Sequence, residues 1–193
     1  MIIAEKFLWL HLPKTGGTSM NRLFRERSIP DVYIDPDQSS TKHDSVDLRE
    51  GRSLWRSGGR RRFFTIRHLE DWLISDWHHK RRHMNLPDLD FSPVRSGLFY
   101  SLRLGGIWVS ADWWLSYFKI DETCTPLRLE NLSFDLNLNI LPLLPETTLP
   151  FEMIPFENSK PLNSQAPISF SESDRRCIFN VNPRWSALEN RIY

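Results

Sequence analysis

Leu12-Pro13-Lys14-Thr15-Gly16-Gly17-Thr18-Ser19 is the stretch on which the reading of this chain turns. Two adjacent glycines let a backbone turn tightly and aim successive N–H groups into one concavity. Upstream, Phe7 to Leu12 (FLWLHL) is an apolar run closed by Pro13, which predicts a buried strand. Downstream, Met20, Leu23 and Phe24 fall at helical spacing and predict a helix from Thr18 to about Arg27, ended before Pro30. Strand, glycine loop and helix place the concavity at a helix amino terminus. Its exposed amides and positive dipole end suit a phosphate, and the hydroxyls of Thr18 and Ser19 add donors. Lys14 precedes the glycines, unlike the lysine of a Walker A loop. Its ammonium therefore reaches toward the far end of a 5' phosphate chain, where a leaving group gathers charge.

Working outward, residues 35 to 62 are polar and turn-rich, and Phe63-Phe64-Thr65-Ile66 then reads as a second strand. Leu69, Trp72, Leu73 and Trp77 repeat at helical spacing behind it, with Arg67 at the junction. Ser92-Pro93 opens a predicted helix through Val94, Leu98, Phe99 and Leu102, stopped by Gly105-Gly106. Ser110 caps a further predicted helix carrying Trp113 and Trp114. Thr125 to Leu129 reads as a short strand ending at Glu130, Pro142 to Pro167 as a long surface loop, and Ser171 to Phe179 and Trp185 to Ile192 as closing helices. Alternating strands and helices predict an α/β fold: three layers, α/β/α, with a central parallel sheet, in one domain over residues 1–193.

Lys and Arg number 25 against 24 Asp and Glu in 193 residues, so net charge gives no reason to expect nucleic acid as a partner. Met1 to Leu12 runs into the glycine loop and reads as a strand, not a secretion signal. No apolar run approaches the roughly 20 residues of a membrane-spanning helix. Cys124 and Cys177 form neither a disulfide framework nor a metal spacing, and a cytoplasmic protein is expected.

PKTGGTS closely resembles the 5'-phosphosulfate loop of sulfotransferases, especially the carbohydrate and membrane-type branch. Arg67 and Ser75 (RHLEDWLIS) are similar to that family's strand-end arginine and helix serine, and TPLRLENL to its later strand. The resemblance implies a P-loop NTPase-like sulfotransferase fold and 3'-phosphoadenosine 5'-phosphosulfate (PAPS) as sulfuryl donor, with PAP as product and no metal. It implies a cofactor site of Pro13, Lys14, Thr15, Gly16, Gly17, Thr18 and Ser19 for the 5' end, with Arg67 and Ser75 for the 3'-phosphate. A guanidinium and a hydroxyl are apt for that dianion. The acceptor expected is a hydroxyl or amine of a small molecule or glycan; the sequence does not name it, nor an oligomeric state. Two departures stand out. Arg67-His68-Leu69 replaces the family's Arg-Asp-Pro, and the cytosolic branch's C-terminal glycine-rich motif is absent, leaving Asn158-Ser159-Lys160 as the expected cover for adenosine.

Sulfuryl transfer needs an oriented acceptor, a base for its proton and a counter-charge for the leaving phosphate. Lys14 is the expected counter-charge. The resemblance implies His43, in STKHDS, as the leading base, since that branch often carries a histidine in this interval, with His68 and Glu70 as runners-up beside Arg67. His79 and His83 have the i, i+4 spacing of paired metal ligands, but without an HExxH acid the run from His78 to His83 reads as a basic helix face, solvated or meeting an anionic acceptor. Arg60-Arg61-Arg62 reads as a solvated strand entrance with a subsidiary phosphate role. Trp113-Trp114 reads as core or a stacking platform, and both cysteines as buried small hydrophobes. The rival readings are a small-molecule kinase using MgATP, with Glu130 as its strand-end acid, and a non-catalytic nucleotide-binding module of the same fold.

Overall fold

A computed structural model describes residues 1–152 and 168–193. In chain order the strands are β1 (Ile2–Ile3), β2 (Phe7–Leu10), β3 (Tyr33–Ile34), β4 (Arg61–Ile66), β5 (Leu98–Ser101), β6 (Ile107–Ser110) and β7 (Cys124–Arg128). The helices are α1 (Gly17–Glu26), α2 (Val46–Arg52), α3 (Leu69–His83), α4 (Ser92–Arg95), α5 (Ala111–Tyr117), α6 (Leu132–Asn139), α7 (Glu172–Val181) and α8 (Pro183–Ile192). Met1–Ile66 with Phe118–Lys160 form one compact unit, and Arg67–Tyr117 with Pro161–Tyr193 a second.

The first unit holds a five-stranded sheet in the order β3-β1-β2-β4-β7. β2, β4 and β7 are parallel, with Leu10 opposite Phe64 and Ile66 opposite Arg128, so their C-terminal ends share one edge. The sheet is mixed and not wholly parallel, because β1 runs antiparallel to both β2 and β3. Polar Glu5 and Lys6 break the opening apolar run, and Ala4 N–H bonds to the Phe7 carbonyl at 3.0 Å, folding one expected strand into a hairpin. Phe7, Trp9 and Phe63 pack with Met20, Leu23 and Phe24 of α1 and with Leu132 and Leu136 of α6. Leu8, Leu10, Phe64 and Ile66 alternate with them and are equally withdrawn from water. Strands apolar on both sides belong to a sheet covered on both faces. α2 carries no apolar stripe, only Val46 being buried, so the pattern of residues 35 to 62 conceals it; Ser45 caps it by accepting from Leu48 N–H.

In the second unit β5 and β6 make an antiparallel hairpin. The helix expected through Leu102 ends instead at Arg95. Gly97, with φ +83°, breaks it, and Leu98–Ser101 continues as a strand. A Cβ at Gly97 would also lie 2.7 Å from Asn182 Nδ2. Trp72 packs on Trp185 and Phe99 with ring centroids 4.3 and 4.4 Å apart, which makes these aromatics core. Ser110 accepts from Trp113 N–H at the start of α5, and Ser171 forms a capping box with Asp174 at α7, as their positions predict. Among the described residues no helix is long and apolar enough to cross a membrane.

Candidate functional site

The glycine loop leaves β2 at the shared C-terminal edge and enters α1. Thr15 is fully buried, and its hydroxyl donates to the Leu12 carbonyl at 3.0 Å, closing the loop on itself. This hydroxyl braces the loop, leaving the backbone of Thr15 as its means of meeting a ligand. Gly16 caps α1 in the left-handed region at φ +85°, and its carbonyl accepts the first helical bond, from Met20 N–H at 3.0 Å. Lys14, a residue with a Cβ, is also left-handed at φ +62°. That conformation costs about 1 kcal/mol and collects at ligand-binding turns. α1 has no side-chain cap and no acid in its first turn, so positive potential at Gly17, Thr18 and Ser19 is not offset there. Thr18 is exposed, Pro13 and Lys14 are half-buried, and Ser19 is buried.

Both glycines are also demanded by neighbours. A Cβ at Gly16 would lie 2.6 Å from Leu129 Cδ1, and one at Gly17 would fall inside the imidazole of His11. His11 is the residue that the sequence reading passes over; a histidine inside an apolar strand end is its only signal. Its ring is buried, stands edge-on to the His43 ring at 4.6 Å between centroids, and is held well below the usual histidine pKa, chiefly by burial and then by His43.

His43 closes the 3-10 turn Ser40–His43 and reaches the chain just before the loop, its Nδ1 bonding to the His11 carbonyl at 2.8 Å. A carbonyl only accepts, so Nδ1 carries the hydrogen and the lone pair of the neutral ring lies on Nε2. This is the tautomer of a general base oriented from behind.

Arg128, ending β7, clasps Asp135 through Nη2 at 2.7 Å and Nε at 3.1 Å, and its own N–H bonds to the same carboxylate at 2.6 Å. Glu130 lies exposed on the turn beyond. Arg60, Arg61 and Arg62 sit at the opposite end of β4, away from the glycine loop, where Arg60 donates to the Ala4 carbonyl at 2.8 Å.

Arg67 and Ser75 fall in the second unit, Arg67 as the residue following β4 and Ser75 on α3, both half-buried. His68 bonds through Nδ1 to Glu189 at 2.8 Å and stacks on Tyr193, while Glu189 also accepts from Leu69 N–H at 3.0 Å and so caps α3. Glu70 pairs with Arg175 at 2.9 Å. The two runner-up bases are thus bonded to partners within the second unit, whereas His43 is joined to the strand end that leads into the loop. The basic run on α3 is not one solvated face, since Lys80 turns inward to pair with Asp76 and Arg81 lies over Trp77. The His79 and His83 rings are 5.1 Å apart, and among the described residues no group of three or more His, Cys, Asp or Glu could hold a metal ion. Trp114 is buried and Trp113 stacks on Tyr117. Cys124 is buried but Cys177 is exposed on α7, contrary to expectation. Asn158-Ser159-Lys160 lies outside the described residues.

No protein-family model, curated protein or solved structure matches this chain.

Proposed function

We propose that this chain is a sulfotransferase of P-loop-like fold that takes a sulfuryl group from PAPS and passes it to a hydroxyl or amine of a carbohydrate or glycolipid. The observation that carries the reading is the loop from Pro13 to Ser19: a left-handed lysine and an uncapped helix amino terminus in one turn, with His43 tied to its base. PAPS supplies an activated sulfur bonded to a good leaving oxygen. The amides of Gly17, Thr18 and Ser19 bind the 5' end, and Lys14 neutralises the bridging oxygen as the sulfur–oxygen bond opens. Nε2 of His43 takes the acceptor's proton as its oxygen bonds to sulfur. Arg67 and Ser75 take the 3'-phosphate in this reading, on the strength of the sequence resemblance. Two free thiols suit a cytoplasmic setting.

A MgATP kinase fits less well. It wants a carboxylate at a strand end for Mg²⁺, and here Asp135 is committed to Arg128 while Glu130 lies exposed beyond β7. The test is transfer of labelled sulfate from PAPS to a panel of glycans and glycolipids. His43→Asn should lower kcat roughly 10²- to 10⁴-fold with PAP binding retained. Absence of transfer from the wild type to any acceptor, with PAP still bound, would favour a non-catalytic module.

A further inference from the structure

His11 is buried between two rings, with Trp9 at 5.0 Å and His43 at 4.6 Å between centroids. Its Nε2 edge fills the space that a side chain at Gly17 would need. Its Nδ1 is buried and has no hydrogen-bond partner among the described residues. A buried ring nitrogen left without a partner is unfavourable, so this nitrogen adds nothing to the packing. The ring acts here as a shape, wedged between the start of α1 and His43. The main chain of the same residue provides the carbonyl that accepts from His43 Nδ1. One residue therefore touches the phosphate loop with its ring edge and the candidate base with both its ring and its backbone.

We propose that His11 is a positioning residue, which holds His43 in the Nδ1–H tautomer and ties the orientation of its Nε2 to the backbone at Gly17. Displacement of the loop is passed through the His11 ring to the base. The role in catalysis rests on the sulfotransferase reading; the mechanical link between Gly17, His11 and His43 does not. In the neutral state this arrangement also keeps positive charge from building up beneath the loop, where Lys42, His43 and the amino terminus already act on His11.

Imidazole ¹⁵N spectra of the histidine-labelled protein test the link without ligand. The wild type should show His43 as a single Nδ1–H tautomer. His11→Ala should give a mixture of tautomers, and His11→Phe, which keeps a ring in place, should restore the single form. Gly17→Ala should shift the His43 nitrogens when His11 is present and leave them unmoved in the His11→Ala background. Should His11→Ala fail to fold, the comparison of wild type, His11→Phe and Gly17→Ala carries the test. His43 signals unchanged in His11→Ala, signals not restored by His11→Phe, or signals indifferent to Gly17→Ala would each overturn the proposal. With an acceptor in hand, kcat of His11→Ala should fall roughly 10- to 100-fold while KM for PAPS stays within about 2-fold. Wild-type protein that fails to bind PAP, yet shows the His43 changes, would reject the sulfotransferase reading and leave the positioning intact.

Discussion

The Cα of Gly16 stands so close to Leu129 that a Cβ there would lie 2.6 Å from Leu129 Cδ1. Leu129 follows β7, so the last parallel strand of the sheet presses on the glycine that turns the loop into α1. Gly16→Ala meets two penalties: a left-handed φ of +85°, worth about 1–2 kcal/mol, and the smaller one of turning aside the flexible tip of Leu129. Chemical denaturation of Gly16→Ala should show a loss of roughly 1–3 kcal/mol. Adding Leu129→Ala should return the steric part of that loss and leave the backbone part. A double variant whose losses simply add would show that the two residues do not press on each other.

Lys14 tests whether strain is kept in the loop for a ligand. Glycine accepts φ +62° without penalty. Lys14→Gly should therefore exceed Lys14→Ala in stability, by up to about 1 kcal/mol, and both should bind PAP more weakly. Lys14→Ala keeps the strain and loses the charge. If Lys14→Gly were no more stable than Lys14→Ala, the left-handed turn at this position would carry no strain.

Burial keeps His11 neutral in the folded chain well below its usual pKa. Between that depressed value and about 6.5 the unfolded chain binds a proton that the folded one does not. Stability from this residue is complete above pH 6.5 and drains away as the pH falls, by at most about 1.4 kcal/mol per pH unit. His78, also lowered by burial and by Arg82 and Arg81, acts in the same direction. Denaturation midpoints of His11→Phe between pH 7 and 5 should have a shallower pH dependence than the wild type. Parallel curves would mean that His11 titrates normally.

In the second unit Asn182 is fully buried and holds three backbone groups: its Oδ1 accepts from Ala111 N–H at 2.6 Å, and its Nδ2 donates to the carbonyls of Gly97 at 3.0 Å and Ile178 at 2.8 Å. Asn182→Ala strands all three, each lost partner costing about 1 kcal/mol or more. A destabilisation of roughly 3 kcal/mol is expected, with Asn182→Asp intermediate because only the acceptor survives. A loss below about 1 kcal/mol would show that water replaces the amide.

The stretch around the loop was legible because apolar period and glycine position agree there: FLWL and the stripe Met20, Leu23, Phe24 lead to β2 and α1 almost residue for residue. Val94, Leu98, Phe99 and Leu102 misled, since residues spaced for a helix face also hold positions in a short strand, and only Gly97 marked the change. Antiparallel β1 was hidden because Glu5 and Lys6 interrupt the run without a glycine or proline to announce a turn. At the site, Lys14 was chosen by its place at the loop entrance and His43 by the family resemblance. His11 and Leu129 were not, because their roles rest on what lies against Gly17 and Gly16, and such proximity is written in the fold and not along the chain.

Calorimetric titration with PAP in the absence of metal, set beside ATP with Mg²⁺, bears most directly on the central claim. Tight PAP binding by the wild type, strongly weakened in Lys14→Ala and in Arg67→Ala, is the result that a sulfotransferase loop with a separate 3'-phosphate arginine predicts. Preference for MgATP, or PAP binding indifferent to both substitutions, would contradict it.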